Sequence, residues 1–239
     1  MIFDIFQCKQ FDVEQSEAAL KVNTDALCLG AWAEIPPAGR ILDIGSGTGI
    51  ISLMLAQRSV DQVIIGIDPH KGSFESTSWN YHQSSWSDRM QAFHMDLDSF
   101  VNRSKADSFQ CIVTNPPYFK KGLIPIDEKL KYAKLMGALD EEKIAECNAL
   151  LLAPGGVISL IYPPEQMDRF ESYCFSLNLF PKRKCYVHST EKTNAIRMMA
   201  TFSFDMPDQI DEEKLVIYDH EKNYTEQYRS MLKDFLTIF

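Results

Sequence analysis

The chain has 239 residues, 45% of them hydrophobic, with a formal net charge of −9 and a pI near 5.1. That length and apolar fraction suit one domain with a sizeable core and exclude a disordered or low-complexity chain. The acidic balance excludes a protein that binds nucleic acid through a global positive field and leaves open one that uses a local basic face.

Residues 1–12 alternate apolar and polar positions around Phe3, Phe6 and Phe11, which suits an N-terminal arm or short strand packed on the domain. Their charges fall in the wrong order for a secretory signal. Residues 15–33, QSEAALKVNTDALCLGAWA, are expected to be mostly helical with a break near Asn23 and Thr24. Thr24 followed by Asp25 then caps a second short helix carrying Leu27, Leu29 and Trp32. Pro36, Pro37 and Gly39 end this extension, and residues 1–38 are expected to pack over the pocket that follows.

From Ile41 to Gln57 an apolar run ending at Asp43-Ile44 meets Gly45, Gly47 and Gly49 and then an apolar-periodic segment. This reads as a buried strand, a tight glycine turn and a helix start. Glycines let the backbone turn at positive φ and let a ligand approach where a Cβ would block it. Free N–H groups at the new helix N-terminus suit an anionic group. A dinucleotide fingerprint spaces its glycines G-x-G-x-x-G, whereas here the third arrives one residue early. With Asp43 ahead of it, the stretch resembles motif I of the class I S-adenosylmethionine-dependent methyltransferases.

VIIGIDPH (63–70) predicts a second buried strand with Asp68 at its carboxyl end, where an acidic side chain reaches ribose hydroxyls in doubly wound sheets. A helix over about 71–82 follows, then a third strand at 90–94 leading to Asp96, a helix to about Arg103 and a fourth strand at 109–114. The alternation predicts an α/β fold: a doubly wound, mostly parallel sheet with helices on both faces. The fourth strand runs into Asn115-Pro116-Pro117-Tyr118. Two prolines fix φ and remove two N–H donors, so the loop presents carbonyls. Asn115 adds a side-chain carbonyl and Tyr118 a flat face, which together suit a planar amine. The loop resembles the N-P-P-Y motif of amino-group methyltransferases.

Lysines 120, 121, 129, 131 and 134 follow in a loop placed to contact phosphates or solvent. An amphipathic helix from Asp140 to Leu152, a Pro-Gly-Gly turn and a fifth strand come next, then a helix opened by Pro163-Pro164 that runs to about Leu177. Two strands, around KCYVH and AIRMMATFSF, accompany the densest basic group: Lys182, Arg183, Lys184, Lys192 and Arg197. An acidic loop (Asp205–Glu213), the segment LVIYD and a helix over about 224–236 close the chain. Six scattered cysteines without a C-x-x-C pair read as reduced, mostly buried small hydrophobes, not disulfides or metal ligands. No apolar run reaches the roughly 18 residues of a membrane span, so a cytoplasmic protein is expected.

Taken over its full length, the chain resembles the bacterial valine-tRNA adenine-37 N6-methyltransferases. The resemblance rests on FQCKQFDVEQ with LKVNTDALCLGAWA (6–33), LDIGSGTGIISLMLAQR (42–58), NPPYF (115–119) and LVIYDHEKNYTEQYRSMLKDF (215–235). It implies a Rossmann-like single domain with a seven-stranded sheet and S-adenosyl-L-methionine as cofactor. It also implies cofactor contacts by Lys21, Thr24, Asp25, Asp43, Gly45, Gly47, Gly49, Asp68, Asp96 and Asn115. Asn115, Pro116, Pro117 and Tyr118 would then hold the target adenine. The implied partner is valine tRNA, with Lys120, Lys121, Lys182, Arg183 and Lys184 as basic contacts on either side of the mouth. One departure is Ala133-Lys134-Leu135, where relatives commonly carry Ala-Arg-His or Ala-Arg-Tyr; lysine keeps the charge and loses the bidentate fork. Rival readings are a glutamine methyltransferase acting on a release factor, a DNA or rRNA amino-methyltransferase and an inactive scaffold of the same fold. The first usually carries a helical domain for which the roughly 40 residues before the glycine turn leave little room.

Overall fold

The computed structural model describes residues 4–117 and 140–239. Its centre is an eight-stranded sheet in the order β10-β8-β9-β7-β6-β3-β4-β5. In chain order the strands are β3 (Arg40–Ile44), β4 (Val63–Asp68), β5 (Met90–His94), β6 (Phe109–Thr114), β7 (Leu152–Tyr162), β8 (Phe180–Thr190), β9 (Ala195–Ser203) and β10 (Asp211–Tyr218). Seven strands were expected; β10 is the eighth, adding in parallel to the outer side of β8. Only β9 runs against its neighbours β7 and β8. Strands β3 and β4 are buried almost throughout, as continuous apolar runs in a parallel sheet must be.

Helices cover both faces. One core gathers around α1 (Thr24–Trp32), α2 (Ile50–Arg58) and the C-terminal α7 (Glu226–Leu232). The other gathers around α4 (Leu97–Arg103), α5 (Glu141–Leu151) and α6 (Pro164–Ser176). Helix α3 (Lys71–Gln83) packs beside β5 and β4. Because successive strands step outward from β3 in opposite directions, the crevice lies at the carboxyl ends of β3 and β6.

The N-terminal arm departs from expectation. Residues 5–14 form a small antiparallel hairpin, β1 (Ile5–Gln7) with β2 (Asp12–Glu14). Residues 15–22 are not helical; they run across the domain held by side chain–backbone bonds, among them Val22 N–H to Gln15 Oε1 at 2.9 Å. A single helix, α1, follows, and its cap is Asn23, whose side chain accepts from Ala26 N, not Thr24. The Pro154-Gly155-Gly156 step is a bulge inside β7, since Phe109 pairs with Leu152 while Cys111 pairs with Val157. The closing helix is shorter than expected, Glu226–Leu232. All six cysteines are buried and free. Among the described residues no helix is long and apolar enough to cross a membrane.

Candidate functional site

The cleft begins where β3 ends. Gly45, Gly47 and Gly49 all take positive φ (71°, 60° and 78°), a conformation side chains rarely adopt. Gly45 N and Ser46 N donate to Ile67 O, so the turn is fastened to β4. Gly49 caps α2 without a side-chain bond, which leaves the helix N-terminus facing the cleft. A Cβ on Gly49 would also lie 2.8 Å from the Tyr81 ring.

Asp68, at the end of β4, is 1% exposed and accepts from Gly47 N (2.9 Å) and His70 N (2.8 Å). Burial raises its pKa, and these two amides and the nearby histidines oppose the shift. Across the cleft, Asn115 and Pro117 follow β6. Lys21, Gly45, Gly47, Asp68, Asn115 and Pro117 line the same cleft, so the glycine turn, the acidic strand end and the proline loop converge. Sequence reasoning missed the further lining by Leu20, Asn23, Ser46, Thr48 and Ser73. For Asn23 the signal was its place just before an apolar helix, where a capping residue belongs.

Other expected site residues serve neighbouring contacts. Asp25 is ion-paired with Arg197 at 2.6 Å. Thr24 lies beside the Tyr228 hydroxyl. Asp43 is fully buried beneath the glycine turn and accepts from the Ser52 hydroxyl at 2.7 Å, while its other oxygen has no partner. Burial pushes its pKa up to about 7, with Ser52 opposing and Asp68 adding to the rise. Asp96 caps α4, accepting from Ser99 N (2.7 Å) and the Ser99 hydroxyl (3.0 Å). Those bonds hold its carboxyl below the usual range. Tyr118, Lys120, Lys121, Lys134 and Leu135 lie outside the described residues.

The expected basic cluster is engaged with carboxylates. Lys182 pairs with Glu34 at 3.0 Å, Lys184 with Glu171 at 2.8 Å and Arg183 with Glu213 at 2.5 Å. Arg183 also lies over the Trp32 ring, 4.4 Å from its centroid. Trp32 ends α1, the helix whose opposite end, at Asn23 and Ala26, lines the cleft. These three cations are thus paired with carboxylates, and Arg183 sits at the end of α1 away from the cleft.

A parallel sheet with a glycine turn after its first inner strand, an acidic residue ending the next and Asn-Pro-Pro after the fourth defines a class I methyltransferase, whose cofactor is S-adenosylmethionine. The methyltransferase small domain family model matches residues 19–133. Similar chains named tRNA1(Val) (adenine(37)-N6)-methyltransferase include one from Flavobacterium johnsoniae, 35% identical with 97% of this chain and 98% of that one covered. Another, from Dyadobacter fermentans, is 35% identical with 98% of each covered. This chain belongs to that family. Solved structures agree on the fold: Atu636 of Agrobacterium tumefaciens, described as a predicted O-methyltransferase, has a TM-score of 0.67 at 17% identity, covering 88% of this chain and 96% of its own. The T. Thermophilus 16S rRNA N2 G1207 methyltransferase, in complex with AdoMet and guanosine, has a TM-score of 0.55 at 19% identity, covering 85% and 51%.

Proposed function

We propose that this chain methylates the exocyclic N6 amine of adenine 37 in valine tRNA. The observation that carries the reading is the placement of Asn115 and Pro117 on the same cleft as the glycine turn and Asp68. The residues fit S-adenosylmethionine. Positive-φ glycines leave room for the methionine part against backbone, and Asp68 offers a buried carboxylate for ribose hydroxyls. Asn23 and Lys21 close the cleft from the arm side, so residues 1–38 act as a cover over the cofactor.

When bound, the cofactor supplies a methyl group already activated on a sulfonium. The protein's task is to present the nucleophile. The adenine amine is a poor one because its lone pair is delocalised into the ring. The Asn115 side-chain carbonyl and the carbonyl of Pro116 accept the amine protons and favour a more tetrahedral nitrogen. These are preorganised dipoles, which act where charge develops and need no reorganisation. A base inside a stacked loop has to be turned out to enter the cleft, and Tyr118, next in the chain, stacks on it. Lys120 and Lys121 then contact the flanking phosphates. Such work belongs in the cytoplasm, where tRNA is processed.

Nucleoside mass spectrometry of tRNA from cells lacking the gene tests the reading. N6-methyladenosine should vanish from valine tRNA and return with the wild-type gene. Unchanged tRNA alongside an unmethylated release-factor glutamine would replace it with the protein-methylating alternative.

A further inference from the structure

Helix α3 carries a row of polar side chains that would read as a solvent face yet is buried: Ser73, Ser76, Thr77 and Asn80 are all 2% exposed or less. Their spacing at i, i+3, i+4 and i+7 places them on one stripe of the helix. Every one is hydrogen-bonded, and the partners fall into two groups. Toward the glycine turn, the Thr77 hydroxyl donates to Gly47 O at 2.9 Å and the Asn80 amide donates to Thr48 O at 2.8 Å. Toward the N-terminal arm, the Ser73 hydroxyl accepts from Ala19 N at 3.2 Å and the Ser76 hydroxyl donates to Glu14 Oε2 at 3.1 Å. Asn80 belongs to both groups. Its amide also donates to Glu14 O at 2.8 Å, and its carbonyl accepts from Glu14 N at 2.8 Å.

One buried amide therefore ties the arm's β2 strand to the backbone of the cofactor turn. Both tied segments line the cleft, the arm through Ala19, Leu20 and Lys21 and the turn through Gly45 to Thr48. Loose packing would have served an arm that only covers apolar surface. A fully satisfied buried polar network instead fixes one geometry.

We propose that Asn80 is a positioning residue that couples docking of the N-terminal arm to the cofactor-binding geometry of the glycine turn. Binding of S-adenosylmethionine and docking of the arm then reinforce each other, since coupling between two equilibria is reciprocal. The inference rests on this cleft being the cofactor site and is independent of which base is methylated.

The test uses the full chain, with S-adenosylmethionine affinity measured by calorimetry and amide exchange followed over residues 12–22 with and without cofactor. In the wild type the cofactor should slow exchange in the arm. Asn80→Ala removes three bonds and should weaken cofactor affinity about tenfold or more. Asn80→Asp fills the same volume but sets a carboxylate against the carbonyls of Glu14 and Thr48. It should be worse than Asn80→Ala, whereas a residue that merely fills space would give the opposite order. Ser76→Ala keeps the proposal testable should both Asn80 variants fail to fold. It touches the arm and not the turn, so it should speed arm exchange and still weaken cofactor binding severalfold. Faster arm exchange with unchanged affinity in Ser76→Ala overturns the coupling, as does Asn80→Asp binding like the wild type. Failure of the wild type itself to bind S-adenosylmethionine would instead strike at the site assignment.

Discussion

Two regions of the molecule carry most of its notable polar chemistry, and they use it in opposite ways. Around β3, β4 and β6, buried polar groups bond to backbone and stop at an open cleft: Asp68 to Gly47 N and His70 N, Thr77 to Gly47 O, Thr114 to Ile44 O. Around β8 and β10, charges meet charges. The register sets Asp211 opposite Arg183 and Glu212 opposite Lys184, one strand's acids against the next strand's bases. Cross-strand pairs of opposite sign stabilise a sheet. Concentrated charge therefore marks a structural seam here. Density of charge is a weaker guide to an interface than the direction in which polar groups point.

The largest expected effect breaks the cleft side of this comparison. Asn115→Ala should lower kcat by about a hundredfold to a thousandfold, the cost of losing one preorganised acceptor or donor in a transition state. Cofactor affinity should stay near wild type, because the lost contact is made to the amine. Steady-state kinetics beside calorimetry would expose the assignment as wrong if most of kcat survived. Next in size is Asp68→Ala. It removes the ribose carboxylate and leaves Gly47 N without its acceptor, so S-adenosylmethionine should bind about ten to a hundred times more weakly. An unchanged dissociation constant in a folded variant would move the ribose elsewhere.

The inner strands and the glycine turn were legible in the sequence because parallel strands buried on both faces must be unbroken apolar runs, and turns at positive φ select glycine. The proline loop was legible for a similar reason, since Pro-Pro admits few conformations. Residues 15–22 were misread because Ala18, Ala19, Leu20 and Val22 crowd together as a helix face would. What holds them extended is a set of bonds the sequence does not show: Gln15 to Val22 within the segment, Asp4 to Gln15 and Ser16 from the hairpin, and Ser73 to Ala19 across the fold. The polar stripe of α3 was invisible for the same cause, because the docked arm and the glycine turn together bury it. The acidic stretch Asp205–Glu213 read as a loop although Asp211 to Glu213 open β10, and the basic stretch of β8 read as an RNA face. Each was seen alone, whereas in the fold Arg183 meets Asp211 and Glu213 across β8 and β10 while Lys182 and Lys184 find Glu34 and Glu171 on other elements.

The other half of the comparison can be sharpened through that seam. Changing Lys182, Arg183 and Lys184 together to alanine should leave tRNA affinity and the slope of its salt dependence unchanged. The same variant should melt several degrees lower. Lys184 and Glu171 have side chains only 11% and 16% exposed, so removing the lysine strands a largely buried carboxylate. Binding measured from low to moderate salt decides the matter: a flatter slope would return these residues to the RNA interface.

The smallest effect concerns a carboxyl of the cleft region that faces neither void nor cation. Asp43 is buried beneath the glycine turn, and burial pushes its pKa up to about 7. An unfolded aspartate titrates near 3.9. Between those values the folded protein holds a proton that the unfolded chain has released. Stability therefore falls as pH rises from about 4 to about 7 and levels off above, where both states are ionised. In Asp43→Asn the side chain cannot ionise, its carbonyl still accepts from Ser52 Oγ, and that contribution to the pH dependence disappears. Melting temperatures of the cofactor-free proteins at a series of pH values isolate the effect, because every other carboxylate is common to both. The variant should gain on the wild type steadily from pH 5 to pH 7 and hold that gain at pH 8. A difference that stayed constant with pH would mean that Asp43 is ionised throughout, bound by amides of the α2 N-terminus strongly enough to outweigh its burial.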